Sequence, residues 1–425
     1  MRFKRTIVSI AASGLLAWLA AWSGGAAASG FALLTQSGSG MGNAYAGAGA
    51  RAEDASTIFS NPAGMAFLHG KQLVVAANLI GVSRQFSDSG STPATLPARP
   101  LGSLADSSER LSWIPNVYFS SEITPKLHLG TGINAPFGST TEYQPGWVGR
   151  YQALKSSIGT INANPSLSYQ INEAVAIGVG LDYQRVNAEF TNAKNLPGGD
   201  GKSTMSGSDA AWGYNVGALF SLNSGGRIGV AYRSSIQYKL RGAALITTAA
   251  GAVAFNQAVT ADIKTPDNLS LSYFRALDNN WDVMGELTRT GWSSFKEIRI
   301  VQVSTGATIG LTPENWSDTW RIALGASHHF GEQWTARVGL AYDQSPVSDA
   351  FRTPRLPDSD RTMLSFGGQY KLNKGSVLDF GYAHLFVTNS TVNNNKGGAD
   401  KTAAQLVGSY NSRADNLSIQ YTHGF

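Results

Sequence analysis

Residues 174–184 read AVAIGVGLDYQ, and their alternation decides what kind of chain this is. Val175, Ile177, Val179, Leu181 and Tyr183 share one face, and Ala176, Gly178, Gly180, Asp182 and Gln184 the other, because successive strand side chains point to opposite sides. In residues 228–241, Ile228, Val230, Tyr232, Ile236, Tyr238 and Leu240 alternate with Gly229, Arg233, Gln237, Lys239 and Arg241. The period returns in 322–330, 334–342, 364–372 and 378–386, and it closes on Leu417, Ile419, Tyr421, His423 and Phe425. A face this polar cannot belong to a packed core, so the apolar face is expected to meet lipid and the polar face a hydrogen-bonded lumen. A soluble sandwich would bury its apolar face and seldom has so many strands.

Working outward, short turns at 122–125, 171–173, 223–226, 277–280, 331–332 and 373–375 alternate with long segments at 87–110, 140–159, 191–210, 242–262, 293–315, 344–359 and 388–404. The short ones are assigned to the periplasm and the long ones to the outside, which gives an all-β transmembrane antiparallel barrel of about fourteen strands. Tyr118, Tyr169, Trp281, Trp320 and Trp334 fall at strand ends and fit interfacial girdles.

Residues 1–28 carry Arg2, Lys4 and Arg5, then an apolar run from Ile7 to Trp22, then Ala26, Ala27 and Ala28. This is the pattern of a cleaved secretory leader. Beyond it, no stretch approaches the 18 apolar residues of a membrane helix. A closed barrel is then the spanning structure left, since its backbone groups pair between strands. Without the leader, 30 Lys/Arg stand against 28 Asp/Glu, a balance of +2. No basic run points to nucleic acid, and zero cysteines exclude thiol chemistry and disulfides. His69, His128, His328, His329, His384 and His423 lack metal-ligand spacing, so no metal, cofactor or enzymatic activity is expected.

Residues 29–68, SGFALLTQSGSGMGNAYAGAGARAEDASTIFSNPAGMAFL, are too rich in Gly, Ala and Ser for a membrane strand. A barrel of this width needs a plug. Three segments follow: leader 1–28, N-terminal hatch 29–70 and barrel 71–425.

Four runs resemble the outer-membrane long-chain fatty acid transporter family, which includes aromatic hydrocarbon channels. They are the hatch, from SGF to NPAGM; residues 134–172, with NAPFGSTTEY, GWVGRYQALKS and TINANPSLSYQIN; residues 265–300, with TPDNLSLSYF and TGWSSFKEIRI; and residues 351–387, with FRTPRLPDSDRTMLSFGGQYKL and LDFGYAHLFV. The resemblance implies a monomeric channel of the bacterial outer membrane, set among its lipid and lipopolysaccharide, that passively takes up hydrophobic small molecules. Long-chain fatty acids are the expected substrate, neutral aromatic hydrocarbons the alternative, and a general porin the reading from another class. It also implies that the barrel assembly machinery reads the C-terminal Phe425.

By the same resemblance, Gly30 and Phe31 at the hatch start lie in the substrate pocket, and Asn61, Pro62 and Ala63 sit against a kinked third strand. Its end, Asn134, Ala135, Pro136, Phe137 and Gly138, fits a kink on residue chemistry alone, since Pro136 cannot donate to a ladder and Gly138 permits a bend. A gap there would release substrate sideways into the membrane. Leu245, Ile246, Ala249, Val253 and Phe255 in 242–262 are assigned to one face of an irregular loop helix, with Leu245, Ile246, Val253 and Phe255 as the substrate contacts of a capture groove of the kind the family has; packing of loop upon loop is the alternative. Arg150, Lys155, Arg185 and Arg299 are the candidate partners for a substrate carboxylate.

Overall fold

The computed structural model describes residues 29–223 and 225–425. The leader, 1–28, lies outside the described residues.

Among the described residues, twenty strands form one antiparallel sheet. They are β1 (Lys71–Asp88), β2 (Ala105–Thr124), β3 (Leu127–Asn134), β4 (Gly138–Glu142), β5 (Lys155–Asn172), β6 (Val175–Leu196), β7 (Gly199–Ser221), β8 (Gly226–Arg233), β9 (Ile236–Thr247) and β10 (Val253–Thr265). The second half supplies β11 (Asn268–Ala276), β12 (Trp281–Thr290), β13 (Glu297–Gln302), β14 (Thr308–Pro313), β15 (Thr319–Phe330), β16 (Trp334–Asp343), β17 (Arg361–Asn373), β18 (Ser376–Val387), β19 (Ser390–Asn394) and β20 (Leu406–Gly424). Fourteen staves close the wall. β4 continues β3, β9 continues β8, β10 runs into β11, and β13, β14 and β19 lie beyond the staves. β20 pairs with β1 from Gln72↔Gly424 to Asp88↔Gly408, which leaves the cylinder without an edge.

Leu181, Ile322, Leu324, Leu417 and Ile419 are each more than half exposed on the outside, as a lipid-facing surface requires. Tyr169, Trp281, Trp320 and Trp334 are also exposed. Tyr118 is not a girdle residue: it is fully buried, and its hydroxyl donates to the Gln36 carbonyl at 3.2 Å.

Three long outer segments are strands, not loops. Residues 191–210 extend the β6–β7 ladder up to Leu196↔Gly199, 242–262 form the β9–β10 hairpin, and 293–315 hold the β13–β14 hairpin. No irregular helix forms at 242–262. The sequence reading also puts Ile236, Tyr238 and Leu240 toward lipid, but all three are buried inside while Gln237, Lys239 and Arg241 are exposed. The ladder skips Ser234 and Ser235, and opposite them Pro266 and Asp267. An even interruption cannot be seen as a break in composition, yet it rotates the strand and turns its apolar face inward.

Residues 29–68 fill the lumen with three single-turn helices, α1 (Gly38–Met41), α2 (Ala48–Arg51) and α3 (Thr57–Ser60), and a 3₁₀ segment, Pro62–Phe67. They bond to the wall on all sides: Gly38 N–H to Gln420 Oε1 (2.9 Å), Asn43 Nδ2 to the Ala326 carbonyl (2.8 Å), Ala48 N–H to Glu286 Oε2 (2.8 Å) and Asn116 Nδ2 to the Thr35 carbonyl (2.8 Å). Approach is so close that a Cβ on wall residue Gly339 would lie 2.2 Å from the Asn43 carbonyl carbon. Only glycine fits there.

Candidate functional site

Phe31 sits in an aromatic box. Its ring centroid lies 4.8 Å from Trp292, 5.6 Å from Phe295, 5.7 Å from Phe137 and 5.7 Å from Trp316, mostly edge to face, an arrangement that suits the aromatic quadrupole. The backbone before it is tied down: Gly30 N–H donates to Asp358 Oδ2 at 2.9 Å and Ser29 N–H to Asp343 Oδ2 at 3.2 Å. Asp358 also accepts from Arg361 Nη2 at 2.6 Å, so the tether carries an ion pair at its back.

The third stave breaks directly beside this box. β3 stops at Asn134, β4 starts at Gly138, and the hatch terminus pairs with the break: Leu33 N–H donates to the Pro136 carbonyl and Gly138 N–H to the Phe31 carbonyl, each at 2.8 Å. Gln36 Nε2 adds a bond to the Ala135 carbonyl at 3.1 Å. On the other side, the β2–β3 ladder ends at Val117↔Ile133, and above it β2 has no ladder partner on that side until Glu142 of β4 meets it through Ser108 and Arg110 at 3.1 Å each. Pro115 occupies that edge, where a residue without an N–H costs no ladder bond. A cleft there touches both buried Leu33 and outward Trp113.

Above the box lie two apolar spaces that share Phe190, Ile263 and Ile298. The outer one is a groove walled by Leu240, Val259, Ile300 and Met205 from β9, β10, β13 and β7. The inner one, about 490 Å³ with its mouth, is closed below by Phe31 and holds two charged side chains, Glu314 and Arg355. Arg355 Nη1 donates to Ser156 Oγ at 3.2 Å and its guanidinium lies 5.3 Å over the Phe190 ring. Among the described residues no carboxylate lies within 4 Å of it.

The sequence model of the family described as "Outer membrane protein transport protein (OMPP1/FadL/TodX)" matches residues 19–425. The "Long-chain fatty acid transport protein" of Salmonella typhi is 30% identical over 86% of this chain and 88% of its own length. The chain belongs to the OMPP1/FadL/TodX family. It is therefore an outer-membrane transport protein of a bacterium. Among solved structures, a Pseudomonas aeruginosa FadL homologue superposes with a TM-score of 0.86 at 23% identity, covering 93% of this chain and all of that one. The Ralstonia pickettii toluene transporter TbuX gives 0.68 at 17%, covering 92% and 98%. At these identities both likenesses speak to the fold.

Within this OMPP1/FadL/TodX architecture, several expected site residues lie elsewhere than the sequence reading puts them. Asn61, Pro62 and Ala63 are not beside the break: Asn61 Nδ2 donates to the Gly49 carbonyl (2.7 Å) and the Ala218 carbonyl of β7 (3.1 Å), and Ser168 Oγ of β5 donates to the Ala63 carbonyl (3.2 Å). Ser168 pairs with His128 at the bottom of β3, roughly 23 Å from Ala135 at about 3.3 Å per residue. The motif clamps the hatch to the periplasmic half of β5–β7, and the residues at the break are Phe31, Leu33 and Gln36.

Leu245, Ile246, Val253 and Phe255 sit on β9 and β10 above the groove and do not line it. Val253 is 64% exposed. None of the four proposed cations faces the inner space. Arg150 is bound by Asp200 at 2.8 Å, Lys155 by Glu189 at 2.9 Å and Arg299 by Glu297 at 2.7 Å, while Arg185 points outward with Tyr183. Arg355 stands in an aperiodic loop, within FRTPRLPDSD, where no residue spacing reports which way a side chain points.

Proposed function

We propose that this protein conducts long-chain fatty acids passively across the outer membrane and releases them sideways through the break in the third stave. Support comes from one observation above the rest: a guanidinium in direct contact with no carboxylate among the described residues, Arg355, opens into an apolar space that Phe31 closes off from a cleft through the wall. An amphiphile with one anionic head and one long chain uses both features. Its chain would enter the groove of Leu240 and Val259, its carboxylate would meet Arg355, and displacement of Phe31 would expose the break at Ala135, Pro136, Phe137 and Gly138. The drive is the concentration gradient; no catalysis is assigned. A neutral aromatic hydrocarbon leaves Arg355 without a role, and a general porin needs the lumen that the hatch fills.

On the same reading the chain works as a monomer within lipid and lipopolysaccharide, after loss of residues 1–28, and Phe425, 73% exposed at the last strand, is the contact for the assembly machinery. The test is equilibrium binding to purified protein in detergent: oleate is expected to bind and to compete out laurate, with toluene competing weakly. Toluene displacing oleate at equal concentration would replace the fatty acid with the hydrocarbon.

A further inference from the structure

The inner space holds a second ionisable group whose place the transport route does not explain. Glu314 stands between β14 and β15, is 6% exposed, and accepts the Trp316 Nε1–H at 2.9 Å. The same Trp316 ring packs on Phe31 and on Phe295. A buried carboxylate with one hydrogen bond is costly unless a cation balances it, and the charged group facing it across the cavity is Arg355. Other elements packed around the space contribute Ser139, Ser156 and Thr353, which carry no charge. Lys296 turns its backbone carbonyl to the Glu314 N–H and leaves its side chain exposed, and Glu297 is paired with Arg299. One cation and one resident anion therefore share an apolar pocket without touching.

We propose that this pocket takes up a carboxylate amphiphile together with one proton, and that Glu314 receives the proton. Empty, the Glu314 carboxylate neutralises Arg355 across the cavity. Occupied, the ligand carboxylate takes that place beside the guanidinium, a proton from water converts Glu314 to its neutral acid, and the pocket keeps its net charge. The inference rests on the fatty-acid reading above and adds that Glu314 tunes it. Burial is consistent with this exchange: it pushes Glu314 up to about 7, against the opposing pull of the Trp316 hydrogen bond and Arg355, and lowers Arg355 to about 10. A second carboxylate arriving nearby raises the Glu314 value further.

The experiment is calorimetry on the folded full-length protein in detergent, titrated with laurate at pH 8 in two buffers of different ionisation enthalpy, and again at pH 7 and 9. Wild type is expected to take up close to one proton per laurate, with affinity falling by up to about tenfold per pH unit above 7. Glu314→Gln, with folding checked by circular dichroism, is expected to bind laurate with no proton uptake and a flat profile. Dodecanol, which brings no charge, is expected to bind wild type without proton uptake. Laurate bound with no proton taken up, or uptake that persists in Glu314→Gln, overturns the assignment to Glu314. Dodecanol binding without laurate binding overturns the carboxylate reading beneath it, and binding of neither overturns the pocket.

Discussion

The Gly138 N–H donates to the Phe31 carbonyl across 2.8 Å, so the end of the hatch pairs with the third stave where its ladder breaks between Asn134 and Gly138. Stopper and side opening are thereby one structure. Ala32 and Phe137 face each other across this short antiparallel pairing, at a Cα separation of about 4.5–5.5 Å that a disulfide spans. In a chain with no cysteine of its own, the double variant Ala32→Cys with Phe137→Cys is expected to halt uptake when oxidised and to recover it on reduction. Equal uptake in both states would mean that substrate leaves another way.

Phe31→Ala tests the stopper itself. A buried phenylalanine contributes about 3–5 kcal/mol of packing, here spent on docking a terminal segment and not on the barrel ladder. Fatty-acid uptake into liposomes is expected to rise, while the thermal transition of the barrel stays in place.

Asp358→Asn addresses the tether. Asp358 Oδ2 accepts from both Gly30 N–H and the Ser345 hydroxyl (2.7 Å), and Oδ1 holds Arg361. Removing the charge leaves Arg361 with Asp343 at 3.8 Å, and breaking a buried pair costs about 3–5 kcal/mol. A spin label near Phe31 should gain mobility in the variant.

Arg355→Leu separates head-group recognition from chain recognition. Hydrogen bonds to a charged group contribute about 1.5–3 kcal/mol, so laurate affinity is expected to fall roughly 10- to 150-fold. Dodecanol affinity is expected to stay the same or to rise.

Asn61→Ala removes the side-chain donor shared by the carbonyls of Gly49 and Ala218, a loss of about 1–3 kcal/mol. Because the motif clamps the hatch far below the break, faster hydrogen exchange over Pro62–Phe67 is expected with uptake nearly unchanged. A collapse of uptake with no change in exchange would return the motif to the route.

Arg337 anchors the hatch body. Its fully buried guanidinium joins Glu53 of the hatch at 2.7 Å to Asp379 of β18 at 2.5 Å. Arg337→Met would leave Asp379 buried with only the Gln369 amide (3.0 Å), while Glu53 keeps Arg51 and the same amide (2.8 Å), and protease nicking within residues 38–60 is expected to appear at a temperature where wild type resists.

Much of this was legible in the chain before any fold was known. Alternation with charges on one face, as at Leu181, Asp182, Tyr183 and Gln184, marks a strand between lipid and lumen, and the tight turns set where each stave reverses. Pro136 and Gly138 announced the broken stave, since a missing donor and a missing Cβ are local facts. Those readings succeed because they depend on residues a few positions apart.

What the tertiary structure alone decided is direction and convergence. Ile236, Tyr238 and Leu240 keep perfect alternation, yet a two-residue interruption at Ser234 and Ser235 turned them from lipid to the barrel interior. Nothing near Asn61 says that it meets β7 and not β3. Glu314 and Arg355 come from separate aperiodic loops, 41 positions apart in the chain, and share a cavity only because the closed wall brings those loops over Phe31. A sequence period fixes which side chains share a face, whereas the side that face turns to, and what meets it there, depend on ring closure and on contacts between distant segments that leave no local pattern.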